Sequence, residues 1–415
     1  WGEPRGYRAN TNHEIGDDMA FTDHPALPRY AAELPGTRRD RGLRALGYIA
    51  LIASAAVTGL GLLWLFAPEW NPFAPDGMLH SESALLAPEA IGVMAIVTGV
   101  AGVVLALLPD GRRSRPELVL PFALASAALA IVMAAVFGSI SFIAVAGYLF
   151  GLLAVAAGAA TIMVTLFRAP RLGLALLAGL AVVVAASVWL AGLTLEGVAD
   201  FAAAFGGALA ADLPGLLVTG VFIVAILAWA ARAVIAVRTS RSGRAFEAWL
   251  VRHRRAITIL AAIGPLPYAA VRATWLTPWP LFGPNADLIT PDVLATGLML
   301  GGGAVAASIL TLGLILPWGV RFPKWMPRIG GRPVPTPVAV VPGLLAASVL
   351  SISAAPMLMM IGADGVIDGV LLNLVLPLWF WGPMLALAVW AYAAWRDTER
   401  DAADRAVATS TAQVS

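Results

Sequence analysis

The chain contains no cysteine. Disulfides, thiolate metal sites, iron–sulfur clusters and thiol nucleophiles are therefore excluded, although the absence fixes no redox compartment. Charge is also scarce: 13% of the residues are charged against 60% hydrophobic, whereas soluble domains carry about 25% charged residues. That balance rules out a water-soluble fold. The four histidines, His13, His24, His80 and His253, are scattered and show no HExxH or paired-ligand spacing, so no metal site is readable. A Walker loop, a dinucleotide fingerprint and a GxSxG elbow are all missing. No catalytic residue and no cofactor is assigned, and nothing points to an enzyme. The net charge of +2 comes from bases confined to particular loops, which gives no reason to expect a nucleic-acid partner.

What the chain does have is long apolar runs. A helix rising about 1.5 Å per residue needs roughly 20 apolar residues to cross about 30 Å of hydrocarbon. Ten stretches qualify: 45–66, 88–108, 117–137, 140–167, 172–193, 215–237, 256–275, 292–317, 338–361 and 370–395. The expected fold is all-α, a polytopic transmembrane helical bundle of about ten spans. It divides into a polar N-terminal segment 1–44, a transmembrane domain 45–395 and a polar tail 396–415. The polar lead holds no short apolar stretch with a cleavage site, so the first span is expected to be a retained anchor. Met19 opens a stretch that reads as a cytoplasmic lead-in, and the residues before it are expected to be upstream read-through.

Orientation follows from the bases, because cytoplasmic loops are enriched in Lys and Arg. Arg38, Arg39, Arg41 and Arg44 precede the first span. Arg112, Arg113 and Arg115 follow the second, and Arg168 and Arg171 the fourth. Arg238, Arg241, Arg244, Arg252, Arg254 and Arg255 follow the sixth, Arg321, Lys324, Arg328 and Arg332 the eighth, and Arg396, Arg400 and Arg405 the tenth. Every base but Arg272 falls on one side, which predicts both termini in the cytoplasm of a multi-pass plasma-membrane protein. The opposite loops are acidic, with Glu69, Glu89, Glu196, Asp200, Asp212, Asp287 and Asp368 among their carboxylates. Their aromatic residues, from Trp64 to Phe73 and from Trp275 to Phe282, suit an aromatic belt. In 195–210, Phe201 and Phe205 are four apart, as are Glu196 and Asp200, which predicts a short helix in the outer interface. The tail from Arg396 mixes both signs and is expected to be a solvated helix that frays. No internal repeat relates the two halves.

Arg272 is the most informative residue, since an arginine inside a span costs about 2.5 to 3.5 kcal/mol at its middle and less toward the ends. It lies near the outer end of the seventh span. One reading has it snorkelling, paired with Asp212, Glu89 or Asp287; the other makes it an anchor for a carboxylate, phosphate or lipid headgroup, in a site with Tyr268, Trp275 and Glu89. Gly264, Pro265 and Pro267 in the same span predict a kink or interruption. Pro342 with Gly343, Pro356, Pro377 and Pro383 predict the same in the last two spans. Interrupted helices expose backbone groups that need protein or a wet cavity, which places a candidate cavity between spans seven, nine and ten. Gly99 and Gly102, Gly147 and Gly151, and the Gly297 to Gly303 group are expected to serve close helix packing. Pro88 with Glu89, Ser114 with Glu117, and Thr290-Pro291-Asp292 read as helix starts. The loop 321–342, rich in proline and bases, is expected to lie against anionic headgroups.

At that loop, and at Pro265-Leu266-Pro267-Tyr268 through Arg272 to Trp275, the chain resembles uncharacterised polytopic membrane proteins of high-GC actinobacteria. The near-exclusive use of arginine, with Lys324 the single lysine, fits such a genome. The resemblance implies an origin and no activity. Two functions are carried forward: a small-solute or lipid-linked transporter or permease, and a non-transporting membrane subunit, sensor component or assembly partner that acts by docking on a membrane or cytoplasmic protein. The lipid bilayer is the partner common to both. The second reading draws on the near absence of ionisable pairs inside the spans, which ion-coupled transporters usually carry.

Overall fold

In the computed structural model, the described residues are 38–74, 87–108, 116–138, 142, 158–191, 194, 196–197, 199–200, 203, 206–207, 210, 213–282, 290–324, 326, 330–363 and 365–414. The chain divides into Trp1–Ala45 and Leu46–Ser415. Of the first unit, the described residues belong to the start of one helix. The second is built of helices, and among the described residues the only β pairing is an isolated bridge between Arg321 and Pro333.

The helices are α1 Arg38–Phe66, α2 Pro88–Leu107, α3 Val119–Phe137, α4 Gly158–Arg168, α5 Pro170–Ala191, α6 Leu213–Thr239, α7 Arg241–Ile263, α8 Leu266–Thr274, α9 Pro291–Leu312, α10 Thr336–Ile352, α11 Ala354–Ala363, α12 Val366–Val375 and α13 Leu378–Val414. Among the described residues, seven helical segments are long and apolar enough to cross a membrane: Gly42–Phe66, Glu89–Leu107, Val119–Phe137, Leu213–Arg238, Ser242–Thr274, Thr336–Met359 and Val366–Ala402. The chain is an integral membrane protein in composition and helix length. The other three expected spans fall where shorter apolar helical segments lie, Gly158–Arg168, Pro170–Val182 and Thr296–Leu312.

Several boundaries differ from those expected, for identifiable reasons. The seventh stretch begins at Arg241, not near 256, because Ser240 caps it: its hydroxyl oxygen accepts from the Gly243 amide at 2.9 Å. Its apolar end stops at Ile263, and after Gly264 and Pro265 the chain restarts as α8. The ninth stretch is two helices joined at Ser353, and the tenth is α12 followed by α13 across Leu376 and Pro377. Pro342 and Pro383 lie inside α10 and α13 without ending them, and Pro356 lies in the first turn of α11. The tail from Arg396 is helical, as expected, and continues α13 to Val414. Thr290 caps α9 by accepting from the Val293 amide at 3.4 Å, with Pro291 at the first position. Pro88 opens α2 similarly. Gly147, Gly151, Ser114, Phe201, Phe205, Asp212 and Asp287 lie outside the described residues.

Two apolar cores organise the second unit. The first is formed by α1, α2, α3 and α6. Gly61 and Gly92 let α1 and α2 approach closely: a methyl group at Gly61 would come within 2.7 Å of the Gly92 carbonyl oxygen. Trp64, Phe73, Phe137 and Phe222 fill this core, with Phe137 stacked on Phe222 at 4.1 Å and Trp64 edge-on to Phe73 at 5.8 Å. Of the aromatics expected in a belt, Trp64 and Phe73 are placed in the core instead. Trp64 and Phe73 are buried at 4% exposure, while Trp70 between them is 65% exposed. The second core is formed by α7, α10, α11 and α13, with Leu250, Leu350, Leu385, Val389 and Tyr392 at its centre. The end of α10 joins the two, since Ile352 belongs to the first core and Leu350 to the second.

Candidate functional site

The break after α7 sets the geometry around Arg272. Without a break, α7 and α8 would be one rod; Gly264 and Pro265 interrupt it, and Pro267 follows in the first turn of α8. On α8, Tyr268 and Arg272 are four residues apart, and Trp275 follows one turn later, so the three side chains share a face. The guanidinium carbon of Arg272 lies 4.9 Å from the centre of the Tyr268 ring and 4.1 Å from that of Trp275. Each face attracts the cation by about 0.5 to 2 kcal/mol.

The neighbouring helix α9 supplies the floor. A methyl group at Gly301 would fall 2.8 Å from Arg272 Cβ, and one at Gly297 would fall 2.6 Å from the Trp275 ring. Those two glycines, four apart, make room for the arginine and the indole, whereas Gly302 and Gly303 face open space. The indole is fixed in turn: Trp275 Nε1 donates to the Leu281 carbonyl at 3.0 Å, and the Leu281 amide donates to Thr274 Oγ1 at 3.0 Å. Ser308 of α9 donates to the Ala262 carbonyl, tying α9 to the end of α7 just before the break.

Among the described residues, Arg272 Nε is buried and has no hydrogen-bond partner. A buried donor left unmade costs about 1 to 3 kcal/mol. Among the described residues no carboxylate forms an ion pair with Arg272. Glu89 is exposed in the first turn of α2, and among the described residues it forms no ion pair with Arg272. The site that the structure assembles is thus Tyr268, Arg272 and Trp275 on a Gly297–Gly301 floor, without Glu89. Comparison with protein-family models, with curated proteins and with solved structures finds no match. The chemistry of this chain therefore rests on its own side chains.

In the seam between α7, α10 and α13, where a cavity was expected, the helices pack closely at three glycines. A methyl group at Gly264 would meet the Trp381 side chain at 2.8 Å, one at Gly343 would meet Val389 at 2.6 Å and one at Gly382 would meet Ser351 Oγ at 2.6 Å. Pro356 and Pro377 are buried in the same region, while Pro383 is exposed. A concavity of about 360 Å³ lies instead between α2 and α3, lined by Ala101, Val104, Leu105, Leu108, Ala125 and Leu129. Its walls are apolar.

Three further arginines are held against the fold: Arg232, which the pattern of bases passes over, and Arg254 and Arg396, which that pattern places only as loop bases. Arg232 lies within the sixth expected span, so the alternation of bases passes over it. It is 8% exposed, with its guanidinium 5.0 Å from the Phe122 ring and 5.2 Å from Trp229. Trp229 Nε1 donates to Ser54 Oγ at 3.0 Å, which fixes α6 against α1. Arg254 of α7 stacks over Trp395 of α13 at 3.7 Å. Arg396, 7% exposed, donates to the Val334 carbonyl at 2.9 Å, the Val320 carbonyl at 3.5 Å and Tyr392 Oη at 3.1 Å. Tyr392 donates to the Gly319 carbonyl at 2.8 Å, and Arg400 to Thr336 Oγ1 at 2.8 Å. The described part of the loop between α9 and α10 is therefore stapled to α13. Each of these arginines has a tryptophan or tyrosine three or four positions away in sequence or across one helix contact, a signal visible only once the pairing helices are known.

Proposed function

We propose that the chain crosses the plasma membrane ten times with both termini in the cytoplasm, and that it serves as a transporter or permease for a small or lipid-linked solute bearing an anionic group. Arg272 receives that group at the outer surface. The observation that carries this reading is a buried arginine Nε, without a hydrogen-bond partner among the described residues, on a guanidinium held against two aromatic faces. The rings fix the guanidinium plane, and an oxyanion is the chemistry that fits the remaining donor. Support for the orientation comes from the loops that hold the bases.

The test is purification of the full chain from its native membrane in mild detergent, with mass spectrometry of what it retains. An anionic small molecule or lipid held by the wild type and released by Arg272→Gln is the expected result. Equal retention by both proteins would sink the proposal. The alternative, a non-transporting subunit, sensor component or assembly partner, draws on the close packing in the seam between α7, α10 and α13. A stoichiometric protein partner retained by both proteins would favour it.

A further inference from the structure

A second concentration of cations and rings lies on the first half of α7, outside the Arg272 site. The 23 residues of α7 rise about 35 Å, and with α8 the segment exceeds what roughly 30 Å of hydrocarbon can hold. The apolar residues follow Arg255, so residues 241–255 form the part that meets the membrane surface.

The sides of this half-helix differ in kind. Leu250 is fully buried in the second core. Arg254 points to the same side and is held over Trp395, which sets the rotation of the helix. Next to that face come Phe246, 39% exposed, and Trp249, 46% exposed. Their rings stack at 5.9 Å and 13°, and Trp249 also lies 4.6 Å from the His253 ring. Beyond them Arg252 and Arg255 are exposed. Two nearby carboxylates are otherwise engaged: Arg238 pairs with Glu247 at 2.6 Å and with Asp397 at 3.4 Å, and Trp390 Nε1 donates to Glu247 at 3.1 Å.

We infer that residues 241–255 seat the headgroups of anionic phospholipids in the cytoplasmic leaflet. Phe246 and Trp249 enter the boundary between headgroups and acyl chains, and Arg252 and Arg255 take the phosphates. Charge complementarity decides the occupant, since an exposed aromatic edge beside exposed arginines that form no ion pair among the described residues, on a helix entering the membrane, matches an anionic lipid surface. The choice of leaflet rests on the orientation proposed above.

The experiment titrates the detergent-solubilised full chain with short-chain phosphatidylglycerol or phosphatidylcholine and follows the thermal midpoint, which rises as a ligand binds the folded state. Phosphatidylglycerol should stabilise at concentrations where phosphatidylcholine does not. The R252Q/R255Q variant should need more of it, by roughly fivefold per arginine or about thirtyfold for the pair, while R168Q/R171Q, with the same change in charge, should shift far less. Equal losses in the two pairs, or equal stabilisation by the two lipids, would overturn the site. A single cysteine at exposed Ala245 reads the leaflet separately, because an impermeant maleimide should reach it only in opened cells. Labelling of intact cells would overturn the leaflet and the orientation together, leaving the headgroup contact to the titration.

Discussion

At the scale of single residues, the arginines of this protein differ by what their surroundings leave undone. Arg396 is fully engaged: it ends on two loop carbonyls and a tyrosine oxygen while nearly excluded from solvent. Arg396→Ala should therefore lower stability by about 2 kcal/mol, since it removes charge-assisted bonds and leaves buried carbonyls bare, and thermal unfolding in detergent would read the loss. Arg272, among the described residues, keeps a donor in reserve. Gly301→Val should displace it, because even a Cβ there falls within 2.8 Å of Arg272 Cβ, and the anion retained by the wild type should be lost without any change in the charge of the site. Arg272 was legible in the sequence because a charge inside an apolar run is expensive. Arg396 was not, because a base at the end of a span is ordinary and the carbonyls it binds lie 62 and 76 positions away along the chain.

At the scale of elements, the close passage of α1 against α2 is set by glycine. A Cβ at Gly99 would collide with the Thr58 hydroxyl and approach the Ser54 carbonyl oxygen to 2.8 Å. Thr58 itself donates to that carbonyl at 2.9 Å. Gly99→Ala should cost about 1 to 3 kcal/mol through overpacking, whereas Gly59→Ala, where nothing lies within 4 Å, should be neutral or slightly stabilising through helix propensity; the two thermal midpoints give the comparison. Apolar length and the Gly264-Pro265 sequence made most helices readable. The start of α7 was hidden because its first turns are rich in arginine, and polar composition reads as loop until Ser240 is recognised as a cap and Leu250 as a buried residue. The burial of Trp64 and Phe73 was hidden for a related reason: aromatic residues near a span end suit either a belt or a core, and only their packing on Phe222 of α6 decides.

At the scale of the molecule, the absence of cysteine becomes an experimental advantage, because any introduced thiol is unique. Single cysteines at Ser242 and at Thr277 should label from opposite sides of the membrane, Thr277 in intact cells and Ser242 only after they are opened. Labelling of both from the same side would refute the assignment of Ser242–Thr274 as one crossing segment.

Helix α13 adds one consequence. Its 37 residues rise about 55 Å, nearly twice the hydrocarbon thickness, and the staple at Arg396 lies where the apolar part gives way to the charged part. The projecting length is a lever whose fulcrum is bonded to the loop joining α9 and α10. A force applied to its free end would be taken up first at that loop, where Arg396 and Tyr392 hold the Val320, Val334 and Gly319 carbonyls.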